Sequence, residues 1–229
     1  EYGDELAEGG RALERTDAPG AVVERLVAAT RAMTERARSA EDELARMGSE
    51  IEALRHKLEE TARNANSDPL TGLPNRRALD ARLKSAFEAA RAARKPFSIA
   101  ICDIDHFKRV NDSYGHDVGD EVIKFVAQAL SKVGTDNLFV ARYGGEEFVV
   151  VLEGVEPAHA VAAIDEVRKD VSVRRLKLKS TGQELGKVSF SGGVAGIAGK
   201  RDPSAMLKAA DQALYRAKEA GRNRIDLEE

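Results

Sequence analysis

Three groups of residues have the types and the spacing to do chemistry. Asp103 and Asp105 close the apolar run Phe97–Cys102, where a buried strand would end and loops present ligands. Glu146 and Glu147 directly follow Gly144 and Gly145. Adjacent glycines let backbone approach a ligand closely, and carboxylates from a strand end and a neighbouring turn can converge on a divalent cation. The third group is cationic. Lys108 follows the first acids, and Lys218 and Arg222, four apart, would share one face of a closing helix. Hard oxygen donors suit Mg²⁺, which usually takes one or two carboxylates plus substrate phosphates. Acids for a metal and separate bases for phosphates are the parts of a metal-dependent nucleotide site.

Each group also has a plainer reading. The aspartates suit an ordinary strand end, the glutamates a solvated hairpin, and the two bases a helix C-terminus favoured by the macrodipole. By spacing alone, the choice between a Mg²⁺–nucleotide enzyme and an inert module stays open. His106 and His116 have no second His or Cys at ligand spacing, so zinc is not expected. Cys102 is the single cysteine, which removes an internal disulfide and a cysteine zinc cluster. At the end of an apolar strand it is expected in the core rather than as a nucleophile.

The elements that must position these groups can be read from period and punctuation. A turn-rich stretch, Asp68–Asn75, precedes a predicted helix over Arg76–Ala93. Phe97–Cys102 reads as a buried strand and Asp117–Val133 as a helix. Leu138–Arg142 and Glu147–Leu152 read as strands of a hairpin around Tyr143–Glu146. Pro157–Val173 is a predicted helix, Val188–Ala195 a strand, and Pro203–Ala220 a last helix stopped by Gly221. Asn223–Leu227 would close the sheet. Strands alternating with helices around a mixed sheet predict an α/β layered domain.

The chain of 229 residues changes character at Asp68. Residues 1–67 carry 15 acids and 10 bases; the remainder carries 24 and 26. Of the aromatic residues only Tyr2 lies before the split, and no proline occurs between Pro19 and Pro69. Residues 1–20 read as a short helical segment, Leu6–Arg15, ended by the breakers Thr16–Gly20. Over 21–67 the residues Val23, Leu26, Thr30, Met33, Ala37, Ala40, Leu44, Met47, Ile51, Leu54, Leu58, Thr61 and Ala65 keep one heptad frame. That period of 3.5 is the coiled-coil seam, and a rod of roughly 70 Å needs a partner, most simply a second copy. The net charge of -3 argues against a nucleic-acid polymer as partner. No apolar run approaches the roughly 18 residues of a membrane helix. Without an initial Met or a signal peptide, the sequence suggests a cytoplasmic fragment whose upstream sensory region is missing.

Residues 68–229 resemble the GGDEF domain of diguanylate cyclases along essentially their whole length. The matching runs are Asp68–Arg77 (DPLTGLPNRR), Asp103–Asp112 (DIDHFKRVND) and Gly115–Asp120 (GHDVGD). They continue through Arg142–Phe148 (RYGGEEF), Ser191–Gly193 (SGG) and Ala213–Asn223 (ALYRAKEAGRN). The resemblance implies a palm-like nucleotide-cyclase fold behind a coiled coil. It implies condensation of two GTP into cyclic di-GMP with release of two pyrophosphates. By motif position, Asp103 and Glu146 would ligate Mg²⁺ through side chains and Ile104 through its carbonyl. Two ions per site are implied, with Mn²⁺ an admissible substitute. The resemblance also gives Glu146 a part in deprotonating the attacking 3′-hydroxyl. Asn111 and Asp120 would read the guanine edge. The Phe107 and Lys108 amides, with the Lys108, Lys218 and Arg222 side chains, would hold the β- and γ-phosphates. One domain binds one GTP, so the product requires a homodimer, which the coiled coil would supply.

The sequence departs from the family at one place. Where many members carry an inhibitory Arg-x-x-Asp, this chain reads Thr135-Asp136-Asn137-Leu138, so product inhibition there is not expected. Other members imply an alternative, a catalytically silent domain that senses GTP or cyclic di-GMP. That form usually lacks a motif glycine, a metal acid or a phosphate base, and all are present here. Members with relaxed base choice carry Ser where this chain has Asp120.

Overall fold

The computed structural model describes residues 19–134, 137–177 and 184–229. Backbone contacts divide the chain into two compact units, with the boundary between Thr61 and Ala62. Helix α1 runs unbroken over Pro19–Asn66. It already holds Pro19 and Gly20, the end of the expected break and just ahead of the expected onset at residue 21, while Thr16–Ala18 lie outside the described residues. Pro19 and Gly20 lie inside the helix, where proline is tolerated in the first turn because its missing N–H would be unpaired anyway. The expected segment Leu6–Arg15 lies outside the described residues. Within α1 the heptad residues Val23, Leu26, Met33, Leu44, Met47, Ile51 and Leu54 are each more than half exposed.

The second unit is a five-stranded sheet in the order β2-β3-β1-β6-β7. Its elements are α2 (Arg76–Ala93), β1 (Phe97–Ile104), α3 (Phe107–Tyr114), α4 (His116–Leu130), β2 (Leu138–Arg142) and β3 (Glu147–Glu153). They continue as α5 (Pro157–Val173), β4 (Arg175–Lys177), β5 (Glu184–Lys187), β6 (Phe190–Gly196), α6 (Pro203–Glu219) and β7 (Ile225–Leu227). β4 and β5 form a separate antiparallel pair. β1 pairs antiparallel with both β3 and β6, whereas β6 and β7 are parallel, so the sheet is mixed.

The period-2 alternation of β1 and β3 sorts the core onto two faces. Ala100, Cys102, Ile104, Phe148, Val150 and Leu152 pack with Val122, Val126 and Leu130 of α4 and Ile164 of α5. Phe97, Ile99, Ile101, Val149 and Val151 pack with Leu79, Leu83 and Phe87 of α2 and Met206, Ala210 and Leu214 of α6. Two helices start at side-chain caps. The Asn75 side chain accepts from the Ala78 amide at α2, and Asp202 accepts from Ala205 at α6.

Two differences from the sequence expectation matter for the site. Phe107–Tyr114 is a helix that no apolar period announced. The last helix ends at Glu219, and β7 begins only at Ile225. Between them Gly221, Arg222 and Asn223 have φ of +106°, +61° and +49°. Gly221 enters this left-handed region without a Cβ penalty; the two side-chain residues after it do not.

Candidate active site

Asp103 is the last odd-numbered position of β1, so alternation turns it toward the face covered by α2 and α6. There α6 delivers Lys218, whose Nζ lies 2.9 Å from Asp103 Oδ2. The register sets Glu147 of β3 directly opposite Asp103. Glu146, the last residue of the β2–β3 turn, accepts from the Ile104 amide through its own carbonyl at 3.3 Å. The strand end and the hairpin are thereby tied together beside the acids. A Cβ on Gly144 would stand 2.7 Å from Glu147 Oε2, so the first glycine leaves room for that carboxylate to fold over the turn.

The turn is anchored from a distance. The Arg142 guanidinium donates to the Gly144 and Gly145 carbonyls, at 2.7 Å for the shortest contact. The same group grips Asp68 through Nη1 at 3.0 and 3.1 Å. Asp68 also accepts from the Thr71 amide and hydroxyl. Burial works to raise the Asp68 pKa, but these bonds and the Arg142 charge outweigh it and hold the carboxyl below its ordinary value. Asn75 closes the stretch by donating to the Ala65 and Asn66 carbonyls at the end of α1. Sequence reasoning gave Asp68, Arg142 and Asn75 no role, since they sit in motif runs without local chemistry of their own.

On the other side of Asp103 stand α3 and α4, joined through Gly115. Asn111 of α3 rests against Gly119 of α4, where a Cβ would lie 1.9 Å from Asn111 Oδ1. Asp120, the next residue, is therefore a neighbour of Asn111. Asn111 Oδ1 is buried against Gly119 and has no hydrogen-bond partner in the chain. Phe107 and Lys108 are the first two residues of α3, and no side chain caps that end. Their amides are among those a helix leaves unpaired, a ready place for an anion. The Lys108 side chain is exposed.

Asp105 is not a free ligand. Its Oδ1 accepts from Ser191 Oγ at 2.7 Å, and its Oδ2 accepts from Ser189 Oγ at 2.6 Å and from the Asn223 amide at 3.0 Å. The sequence expectation that Lys218 and Arg222 share a helix face is also corrected. Lys218 lies in the last turn of α6, and Arg222 lies beyond it in the left-handed turn. Cys102 is fully buried, and burial, then the Asp103 charge, pushes its thiol far up, as a core residue.

The donor set fits a hard divalent cation. Burial raises the pKa of Asp103, Glu146 and Glu147 alike, and the neighbouring carboxylates raise them further, with Lys218 opposing. Among the described residues no ready-made cage of three ligating side chains is present. Mg²⁺ is suited to such a site because it keeps waters and takes phosphate oxygens.

A pH dependence follows. For each of the three carboxyls the folded chain holds its proton more tightly than the unfolded chain. Their contribution to stability therefore grows as pH falls through the raised values. Cation binding needs the charged form and weakens over the same window. The rise in melting temperature that Mg²⁺ produces should shrink as the pH is lowered, beginning above the ordinary carboxylate range. A rise that stays constant down to that range would contradict the shared cause.

Comparison with known proteins gives a consistent picture. The model of the family described as diguanylate cyclase, GGDEF domain, matches residues 65–224. The chain is 40% identical over 183 residues to diguanylate cyclase DgcP of Pseudomonas aeruginosa, covering 79% of this chain and 26% of that protein. It is 40% identical over 174 residues to response regulator PleD of Caulobacter vibrioides, covering 75% and 38%. The chain thus spans about a quarter to two-fifths of these relatives. Among solved structures, the coiled coil and GGDEF domain of DgcB from Caulobacter crescentus, in complex with c-di-GMP, is similar with a TM-score of 0.79. That match has 38% identity and covers 82% of this chain and 99% of the other. The active GGEEF domain of a diguanylate cyclase from Vibrio cholerae is similar with a TM-score of 0.62, at 36% identity, covering 68% and 97%.

Proposed function

This chain belongs to the GGDEF-domain diguanylate cyclase family, and from that premise we propose that it condenses two GTP into cyclic di-GMP and two pyrophosphates as a homodimer. The observation that carries this reading is the convergence of Asp103, Glu146 and Lys218 at one strand end. That combination supplies a cation site and a phosphate counter-charge together.

In this reading residues 68–229 are the cyclase domain. Asp103, Glu146 and the Ile104 carbonyl hold Mg²⁺, which when bound lowers the cost of charge on the attacking and leaving oxygens. Glu146 accepts the proton of the 3′-hydroxyl. Lys218 balances Asp103 before substrate enters and turns to the β- and γ-phosphates once it has. Arg222, Lys108 and the Phe107 and Lys108 amides complete the phosphate grip. Asn111 and Asp120 read guanine, Asp120 accepting from the N1–H and 2-amino groups, which adenine does not offer in that pattern.

The exposed apolar stripe of α1 supports the dimer. Each domain holds one half of the reaction, and a coiled coil over residues 21–67 raises the effective concentration of the other half. The reaction belongs in the cytoplasm, where GTP is available; among the described residues no helix is long and apolar enough to cross a membrane. Of the four positions where a family inhibitory site would lie, Thr135 and Asp136 are outside the described residues.

Incubation with GTP and Mg²⁺, followed by chromatography, tests the proposal. Pyrophosphate and cyclic di-GMP are the expected products; an absence of turnover in a verified dimer would favour a silent nucleotide sensor. Base choice has its own test. Asp120→Ser should lower the preference for GTP over ATP by about a hundredfold, since a site built to pair with a donor strongly rejects a substrate lacking it. Unchanged selectivity would remove Asp120 from base reading.

A further inference from the structure

The left-handed turn after α6 is an unfavourable piece of backbone at a position the substrate is expected to use. Two side-chain residues in succession, Arg222 and Asn223, hold positive φ. Such residues persist only where their surroundings over-determine them.

The surroundings here come from three directions. Behind the turn, the Arg222 amide donates to the Ala217 carbonyl of α6 at 3.0 Å. Below it, the buried Asp105 carboxylate accepts the Asn223 amide and also the Ser189 and Ser191 hydroxyls. The third hold comes from α5, which packs on the opposite face of the sheet from α6. Arg168 of α5 donates from Nη1 to Asn223 Oδ1 at 2.7 Å and from Nε to Asp165 Oδ1 at 2.6 Å. Its side chain is only 11% exposed, and Asp165 fixes the guanidinium plane. A planar fork held at one edge presents its other nitrogens in a set direction.

We propose that Arg168 is a positioning residue for the triphosphate: acting through Asn223, it holds the turn that carries Arg222. It touches neither the carboxylates around the cation site nor the expected place of the nucleotide. This rests on the cyclase reading given above. The consequence is selective. Loosening the turn weakens contacts to the β- and γ-phosphates and leaves guanine recognition by Asn111 and Asp120 alone.

The test compares two nucleotides on the full chain with Mg²⁺, by calorimetry. 3′-Deoxy-GTP has the triphosphate but no nucleophile; GMP has the base without the outer phosphates. Arg168→Met is expected to weaken 3′-deoxy-GTP about fivefold, the worth of roughly one hydrogen bond, and to leave GMP unchanged. Arg168→Lys, which keeps a charge for Asp165 but loses the fork, should show the same selective loss. Asn223→Ala removes the acceptor but also places alanine at positive φ, so it is read beside Asn223→Asp, which keeps an acceptor there, and the pair decides the matter should Arg168→Met not fold. Equal losses on both nucleotides, or no loss on either with a lowered melting temperature, would overturn the proposal. Failure of the unaltered chain to bind 3′-deoxy-GTP would overturn the cyclase reading itself.

Discussion

If the proposed cyclase reaction holds, Glu146→Gln is expected to lower turnover of GTP by about a thousandfold or more while the chain keeps its fold. Removing one well-placed electrostatic group from a phosphoryl-transfer site costs on this order, and in the proposed reaction Glu146 serves twice, as metal ligand and as proton acceptor. The substitution is close to isosteric. Its structural tie, the backbone carbonyl that accepts from the Ile104 amide, is untouched by the side-chain change. Removing a half-buried carboxylate from beside Asp103 should leave thermal stability without Mg²⁺ equal to that of the unaltered chain or higher. The Mg²⁺-dependent rise in melting temperature should fall together with activity. Retained turnover would mean that Asp103 and Glu147 suffice to hold the cation.

The second large effect is on stability. Gly193 lies on β6 where α6 crosses the sheet. A Cβ there would stand 2.1 Å from the Ala210 carbonyl oxygen and 2.2 Å from the Leu214 amide nitrogen. Both are helix backbone, which cannot turn aside as a side chain can. Gly193→Val is expected to cost on the order of 3 kcal/mol or more, read as a shift in the denaturant midpoint of the domain. Gly192→Ala is the internal comparison. Its Cβ would meet Ile225 Cδ1 at 2.8 Å, the tip of a flexible side chain, so its cost should be clearly smaller. Similar costs at the two positions would mean that α6 can lift from the sheet. A lifted α6 would also carry Lys218 off Asp103, so residual activity of Gly193→Val should fall further than its folded fraction.

Where period and punctuation decide structure, the sequence was a good guide. Arg76–Ala93, Leu138–Arg142 and Pro157–Val173 have the same bounds in the structure as in the reading. Each is bounded by a cap, a turn or a proline. What could not be read depends on residues remote in the chain. Phe107–Tyr114 is short and mostly polar and opens from a left-handed His106, so it carries no periodic signal. Arg222 leaves the helical face because Asp105, far back in the chain, captures the following amide. The pair of aspartates shows the limit of spacing most plainly. Asp103 and Asp105 look alike in sequence, yet one faces Lys218 and the cation site while the other is spent on two serines and a turn.

The grip of Arg142 on the Gly144 and Gly145 carbonyls has a thermodynamic side. A pair of glycines is the part of a chain with the most conformational freedom to lose. Had this turn been left loose, part of every nucleotide's binding free energy would go to ordering it. With its carbonyls fixed from Asp68 through Arg142, that entropy is given up once, when the domain folds. In the proposed reaction, none of the substrate's binding free energy then goes to ordering this turn.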